Sequence, residues 1–231
     1  MKRNIKDIAL GGLDYYRFPK LRNSWNGPFN GQEKRQQLFD DLVQRIEFDA
    51  VVETGTYRGN TSEFFYHKTK THIYTVEHHS RFYGFSRMRF LLNSKIRVFL
   101  MDSRDFLIKL SFRKKLNHKK IFFYLDAHWS DDLPLAEEVG LIFKHWEKAV
   151  VMIDDFKVPF DEGYTYDNYG DDKILNLDYL ETSNSHKYKI FFPSTPSGME
   201  TGEKRGCVIL AQDTSLVNEI RHSKYITEWN E

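Results

Sequence analysis

Six carboxylates follow directly on short runs rich in β-branched and aromatic residues: Glu53, Glu77, Asp102, Asp126 and the adjacent pair Asp154 and Asp155. Unpaired charge is expensive to bury, so acids gathered at one place need a ligand or a partner. For any one of them a helix cap or a solvated loop acid is the plain alternative, and Asp102 is the strongest case for it. After Glu53 the chain reads Thr54-Gly55-Thr56-Tyr57-Arg58-Gly59-Asn60-Thr61-Ser62. That is a strand end, a glycine turn and a helix start, the local shape that holds a nucleotide-like cofactor. Gly55 and Gly59 stand where the backbone turns or a ligand comes close. An ordinary strand-to-helix turn has the same pattern, so the loop gains meaning only from its neighbours.

The acids divide by chemistry. Glu77 lies 22 residues beyond Gly55 (77 − 55), at the end of the next predicted strand, where a carboxylate can accept both hydroxyls of a ribose. Asp102 and Ser103 can face the edge of an adenine. Asp126, Asp154 and Asp155 form a second group: hard oxygen ligands with no cysteine among them, which suits Mg2+ better than zinc. His128, two residues past Asp126, is placed to act as a base or to donate a hydrogen bond. Asp131 and Asp132 read as solvated.

Positioning these residues requires strands that end together. The spacing predicts strands at 50–54, 72–77, 96–101, 120–126 and 149–153, with helices at 61–67, 80–92, 102–110 and 135–146 between them. The fourth strand, KIFFYLD, is almost continuously apolar, as a central parallel strand should be. Such alternation predicts an α/β, Rossmann-like, doubly wound sheet with helices on both faces and all parallel strand ends on one edge. Ligands bind at that edge, where the strand order reverses. Before the sheet, Leu38, Phe39, Leu42, Val43 and Ile46 give helical spacing over 33–48. Beyond 155 comes a loop rich in Tyr, Asp and Gly. A short helix near 174–180 follows, then strands at 187–192 and 206–211 joined as a hairpin, and a terminal helix over 214–229. Residues 1–32 show no clear periodicity and read as an arm, with turn chemistry around Trp25-Asn26-Gly27-Pro28. Residues 33–231 read as one domain.

Composition removes several classes. The 231 residues carry 34 Lys and Arg against 33 Asp and Glu, a net charge of +1 that gives no case for nucleic acid. The one cysteine, Cys207, can build neither a disulfide framework nor a thiolate zinc site. No apolar run is long enough for a signal-peptide core or a membrane span. The expectation is a soluble, cytoplasmic protein acting on a small molecule, with a homodimer as the expected assembly.

Together these residues resemble the class I S-adenosylmethionine (SAM)-dependent methyltransferases, over roughly 33–212. Within them the chain is most similar to the metal-dependent O-methyltransferases: the catechol, macrolide-sugar (TylF-like) and cephalosporin-hydroxylase-like groups. The glycine loop, Thr75-Val76-Glu77, Leu125-Asp126-Ala127-His128-Trp129 and Ile153-Asp154-Asp155 carry the resemblance. It implies a seven-stranded, mostly parallel sheet with an antiparallel last strand. It also implies that Glu53, Gly55, Thr56, Tyr57, Gly59 and Thr61 surround the methionine end of SAM. Glu77 would bind the ribose, with Val76 and His78 flanking it. Asp102, Ser103 and Arg104 would lie by the adenine, and Trp129 would stack near it. Asp126, beside the cofactor, would join Asp154 and Asp155 in holding Mg2+ or another divalent cation. The implied activity is methyl transfer to a hydroxyl of a small molecule or sugar. The catechol enzymes have a lysine base after their Asp-His-Trp run. Here Ser130 and Asp131 follow, Ala127 is inserted, and the base falls to His128 or to a metal-bound carboxylate such as Asp126. Asp155 stands where the catechol enzymes have asparagine. Two other readings compete. An NAD-linked oxidoreductase needs glycine where this chain has Tyr57 and Asn60. A non-catalytic cofactor-binding module would not need the metal carboxylates.

Overall fold

A strand covered on both faces must be apolar at every position, and alternate residues must then enter two different cores. The central strands do this. Ala50, Val52, Ile121, Phe123, Leu125, Val151 and Ile153 belong to one buried cluster, and Val51, Phe122, Tyr124, Val150 and Met152 to the other. The computed structural model describes residues 4–127, 133–170, 173–181 and 188–230. Within them β1 (Ala50–Thr54), β2 (His72–Glu77), β3 (Ile96–Leu100), β4 (Ile121–Leu125) and β5 (Ala149–Asp154) run parallel. β6 (Lys189–Pro193), β7 (Cys207–Ala211) and β8 (Ile226–Glu228) complete the sheet through antiparallel pairings. The strand order is β3-β2-β1-β4-β5-β7-β6-β8.

Helices α1 (Ile5–Arg17), α2 (Glu33–Arg45), α3 (Asn60–Thr69), α4 (Ser80–Arg89), α5 (Ser103–Ser111), α6 (Lys114–Asn117), α7 (Leu135–His145), α8 (Leu177–Glu181) and α9 (Thr214–Arg221) surround it. Leu38, Phe39 and Leu42 of α2, Phe65 of α3 and Leu216, Val217 and Ile220 of α9 fill one core. Phe106, Leu107 and Leu110 of α5 and Val139, Ile142 and Phe143 of α7 fill the other. No helix among the described residues is long and apolar enough to cross a membrane. The parallel registers align Thr54 with Val76 and with Leu125, and Leu125 with Ile153. Every carboxylate singled out above therefore leaves the sheet at the same edge. The order reverses between β1 and β4, which is where a ligand site is expected.

Four local readings need correction. The segment read as aperiodic contains α1, whose start is capped by the Asn4 side chain accepting from the Asp7 amide. Its contact face is glycine, which carries no hydropathy signal. A Cβ on Gly11 would lie 1.9 Å from the Arg81 carbonyl oxygen of α4, and one on Gly84 would lie 2.1 Å from that of Ile8. α3 starts at Asn60, one residue ahead of the predicted start, and is opened by Gly59 in the left-handed region (φ +80°) with no side-chain cap. The terminal helix stops at Arg221, and Ile226–Glu228 turn back to cover the edge of β6. Arg221 holds that strand by donating to both Glu228 oxygens, at 2.7 and 2.9 Å. Helix α6 was not anticipated and is only four residues long.

The glycine contact yields a paired expectation. Gly11→Ala should destabilise the protein by about 1–3 kcal/mol by forcing α1 from α4. Gly12→Ala, whose Cβ would meet the flexible Met88 methyl at 3.4 Å and the Gly84 carbonyl oxygen at 3.8 Å, should be tolerated. Urea midpoints of the two variants check this, and equal midpoints would mean that α1 does not depend on the close approach.

Candidate active site

The loop after β1 is shaped by two glycines. Gly55 has φ +90°, and a Cβ there would lie 2.2 Å from the carbonyl oxygen of Asp126. β1 and β4 can therefore leave the sheet side by side only with glycine at this position. The Asp126 amide donates to the Thr54 carbonyl at 3.0 Å, and the Gly55 and Thr56 amides both donate to Val76 at 3.0 Å. Tyr57 takes φ +49°, costly for a large side chain. Its amide is held by the Glu77 carboxylate at 2.7 Å. At Gly59 a Cβ would meet the Phe90 ring at 2.6 Å.

Two dry carboxylates lie beneath and beside this loop. Glu53 is 1% exposed. It accepts from the Thr75 hydroxyl at 2.6 Å and from the Ser62 hydroxyl, and Thr56 and Thr75 share a further 2.6 Å hydrogen bond. Burial pushes the Glu53 pKa up to about 7, the hydroxyls pull against it, and the charge of Glu77 adds to it. Glu77 accepts the amides of Tyr57 at 2.7 Å and His79 at 2.6 Å. Burial likewise raises it to about 7, against the pull of those amides. Thr61 joins the loop to the N-terminal segment by accepting from the Phe29 amide at 3.4 Å. His78 is exposed and Ser103 is buried at the start of α5. Asp102 caps α5, accepting from the Arg104 amide at 2.9 Å, and also pairs with the Arg104 guanidinium, which holds its pKa below the ordinary value. His128 and Trp129 lie outside the described residues.

The second acid group does come together. One carboxylate oxygen from each of Asp126, Asp154 and Asp155 lies within 4.8 Å of the others. These acids are already engaged. Asp154 is fully buried; one oxygen is paired with Arg35 and the other accepts from the Tyr124 hydroxyl at 2.5 Å. The Arg35 side chain is 2% exposed and also donates to the Arg205 carbonyl. Gln32 clamps that same residue, accepting from the Arg205 amide at 3.0 Å and donating to its carbonyl at 2.9 Å. The Arg205 guanidinium bridges Asp155 and Asp167. Burial works against its charge, but the two acids outweigh burial and its pKa is raised. Burial, with the charge of Asp126, puts the Tyr124 pKa well above its ordinary value, so this hydroxyl remains a donor.

Mg2+ asks for carboxylate oxygens free to approach it at about 2.0–2.1 Å in octahedral array. The closeness of the three acids meets the first half of that demand. The second half is not met, because both Asp154 oxygens are taken and each of Asp154 and Asp155 already has a guanidinium. As they stand, the residues fit a guanidinium-balanced cluster better than a dedicated cation site.

Sequence reasoning missed Gln32, Arg35, Tyr124 and Arg205. One signal was present for Arg35: with Leu38, Phe39 and Leu42 it occupies the i, i+3, i+4, i+7 stripe that α2 buries. The Tyr-rich loop is tied to the cluster as well. The Asp167 amide donates to the Asp155 carbonyl at 2.9 Å, and Tyr164 is buried with its hydroxyl on the Thr195 carbonyl at 2.9 Å.

No protein-family model and no curated protein matches the sequence. Solved structures do match the fold. An O-methyltransferase from Bacillus cereus in complex with S-adenosylhomocysteine (SAH) is 14% identical, with TM-score 0.57 over 86% of this chain and 90% of that one. The O-methyltransferase TomG from Streptomyces achromogenes, in complex with SAM, is 13% identical, with TM-score 0.57 over 91% of both chains. The SAH-bound methyltransferase PaMTH1 of Podospora anserina is 12% identical, with TM-score 0.52 over 88% of both. The chain thus has the Rossmann-like fold of these methyltransferases, its sheet having eight strands where seven were expected.

The dry carboxylates make stability depend on pH. Glu53 holds its proton more tightly folded than unfolded, so its contribution is complete below about 4.5 and is lost as pH rises through about 7. Glu53→Gln should remove this slope. Urea unfolding at pH 4.5 and pH 7.5 should show the wild type losing on the order of 2 kcal/mol relative to the variant across that window.

Proposed function

We propose that this chain transfers a methyl group from SAM to a hydroxyl of a small molecule or sugar. The observation that carries the reading is the Gly55–Gly59 loop locked to Glu77 at the point where the strand order reverses. Gly55 lets β1 and β4 leave the sheet side by side and Gly59 lets the loop close on the Phe90 ring, which together set the backbone offered to a cofactor. Glu77 is held by the backbone amides of Tyr57, His78 and His79, and a carboxylate has about four lone-pair sites, so acceptor capacity remains for a ribose hydroxyl. Glu53, Thr56, Tyr57 and Thr61 line the side of the loop assigned to the methionine end, and Asp102, Ser103 and Arg104 the side assigned to adenine. Bound there, SAM supplies an electrophilic methyl group on a sulfonium.

The remaining work belongs to the chain. A hydroxyl acceptor must be held in line with the methyl group and must lose its proton. Asp126, half-buried at the end of β4 beside the loop, is the described carboxylate placed to take that proton; His128 is the alternative two residues further on. Tyr166 and Tyr169, on the loop anchored to Asp155, offer aromatic faces suited to a sugar or phenolic ring. A magnesium-assisted version would use Asp126, Asp154 and Asp155. It is supported by their closeness alone. A homodimer remains part of the proposal.

Calorimetry with SAH tests the reading directly. The wild type is expected to bind, and Glu77→Ala to bind about 10–100-fold more weakly, the worth of hydrogen bonds to a charged acceptor. A folded wild type that gives no heat with SAH would overturn it.

A further inference from the structure

Carboxylates brought together need positive charge nearby, and a protein has two sources for it: an ion taken from solvent, or its own side chains. We infer that in this chain Arg35 and Arg205 take the place of a divalent cation, so that the cluster of Asp126, Asp154 and Asp155 recruits no metal. The inference concerns the chain's own charges and holds whether or not the methyltransferase reading does. If that reading is right, methyl transfer here proceeds without a divalent cation.

A guanidinium is never deprotonated in a protein, so Arg35 is a permanent cation in an interior site. Its side chain and that of Asp154 are 2% and 0% exposed. It cannot easily swing aside. It sits in the first turn of α2, where the Glu200 carboxylate holds the amides of Lys34 at 2.9 Å and Arg35 at 3.1 Å. Its second donor is spent on the Arg205 carbonyl. The other Asp154 oxygen is closed by Tyr124 at 2.5 Å. A metal ion entering at Asp154 would have to displace Arg35 from a buried position in which it is already paired.

Arg205 is the second cation and is differently placed. Its backbone is clamped by Gln32 and bridges to Thr165. Its guanidinium is 21% exposed and spans Asp155 and Asp167. These two acids come from the end of β5 and from the Tyr-rich loop, so one side chain both balances the cluster and ties the loop over it. Because it reaches solvent, and because Asp155 and Asp167 are themselves 15% and 21% exposed, Arg205 is the cation whose removal would open the cluster to an ion; removing Arg35 would strand Asp154, which is 0% exposed. Arg35 is the cation that must stay.

The test uses Mn2+ as the probe, with the full chain. Free Mn2+ is followed by electron paramagnetic resonance during titration up to millimolar concentration. The wild type is expected to take up no more Mn2+ than Asp155→Asn. Arg205→Gln should gain a site for one Mn2+, at least ten-fold tighter than anything in the wild type. The double variant Arg205→Gln with Asp155→Asn should lose it, and Arg205→Lys, which keeps the charge, should not gain it. Stoichiometric Mn2+ uptake by the wild type that disappears in Asp155→Asn would overturn the inference. So would an Arg205→Gln protein, folded by circular dichroism, that gains no site. If that variant does not fold, the comparison of wild type with Asp155→Asn still decides. SAH calorimetry in EDTA, run alongside, scores the cofactor reading separately.

Discussion

The buried ion pair between Arg35 and Asp154 is the contact on which the rest of the site depends. Taking both charges out of water costs several kcal/mol per ion, and the pair is tolerable only if every remaining polar direction is satisfied. The Tyr124 hydroxyl and the Arg205 carbonyl supply two of those directions. Each brings a different part of the chain with it. Tyr124 belongs to β4, Asp154 to β5, Arg35 to α2, and Arg205 to the connection between β6 and β7. One charge pair thus fixes the relative positions of two adjacent strands, the helix before the sheet and the loop after it. A hydrophobic pair of similar volume would stabilise this junction as well or better. It could not place Asp154 beside Asp126 and Asp155 at the edge where the strands end.

The same edge handles buried acid in two ways. On the β1–β2 side, Glu53 and Glu77 have no cation partner among the described residues. Hydroxyls and amides satisfy them, and burial lifts both to about 7. On the β4–β5 side, Asp154 and Asp155 are balanced by guanidinium groups. A ligand that offers neutral hydroxyl donors suits the first half, since each donor stabilises the carboxylate that burial penalises. The second half sets guanidinium groups against carboxylates, and the guanidinium charge does not change with pH. The division matches what methyl transfer to an oxygen would ask: a cofactor diol on one side and a polar, charged wall on the other.

The parts of this arrangement that were legible in the sequence are those carried by local pattern. Strands β1 to β5 announce themselves by apolar runs, and their carboxylates by position immediately after them. The glycines at 55 and 59 are legible because only a turn or a close approach explains them. What was not legible depends on distance along the chain or on residues without hydropathy. Arg35 and Asp154 are 119 residues apart, and Arg205 and Asp155 are 50 apart. Nothing local to the acids reports that their counter-charges already exist, so a metal was the natural inference from the acids alone. Helix α1 was hidden because Gly11 and Gly84 make its contact. Strand β8 was hidden because three residues are too few to show a period.

The N-terminal segment closes the same circuit from outside. Trp25, Asn26, Phe29 and Asn30 all take positive φ, at 55°, 60°, 51° and 55°. Asparagine tolerates this conformation; tryptophan and phenylalanine do so at a cost on the order of 1 kcal/mol or more each. Strain of that kind persists only where the surroundings over-determine it, and here they do. Phe29 is buried with its ring against Phe39, Phe64, Phe65 and Tyr124 at centroid distances of 5.3–6.2 Å. Ser24 accepts from Asn60 at 2.8 Å and from Arg58 at 3.0 Å, beside the glycine loop. Asn30 accepts from the Glu203 amide at 3.2 Å, two residues before Arg205. The strained turn therefore touches the glycine loop at one end and the Arg205 segment at the other, and in its middle it packs on the tyrosine that holds Asp154. Relaxing it would loosen both halves of the edge at once, which is a physical reason for this short stretch to remain strained.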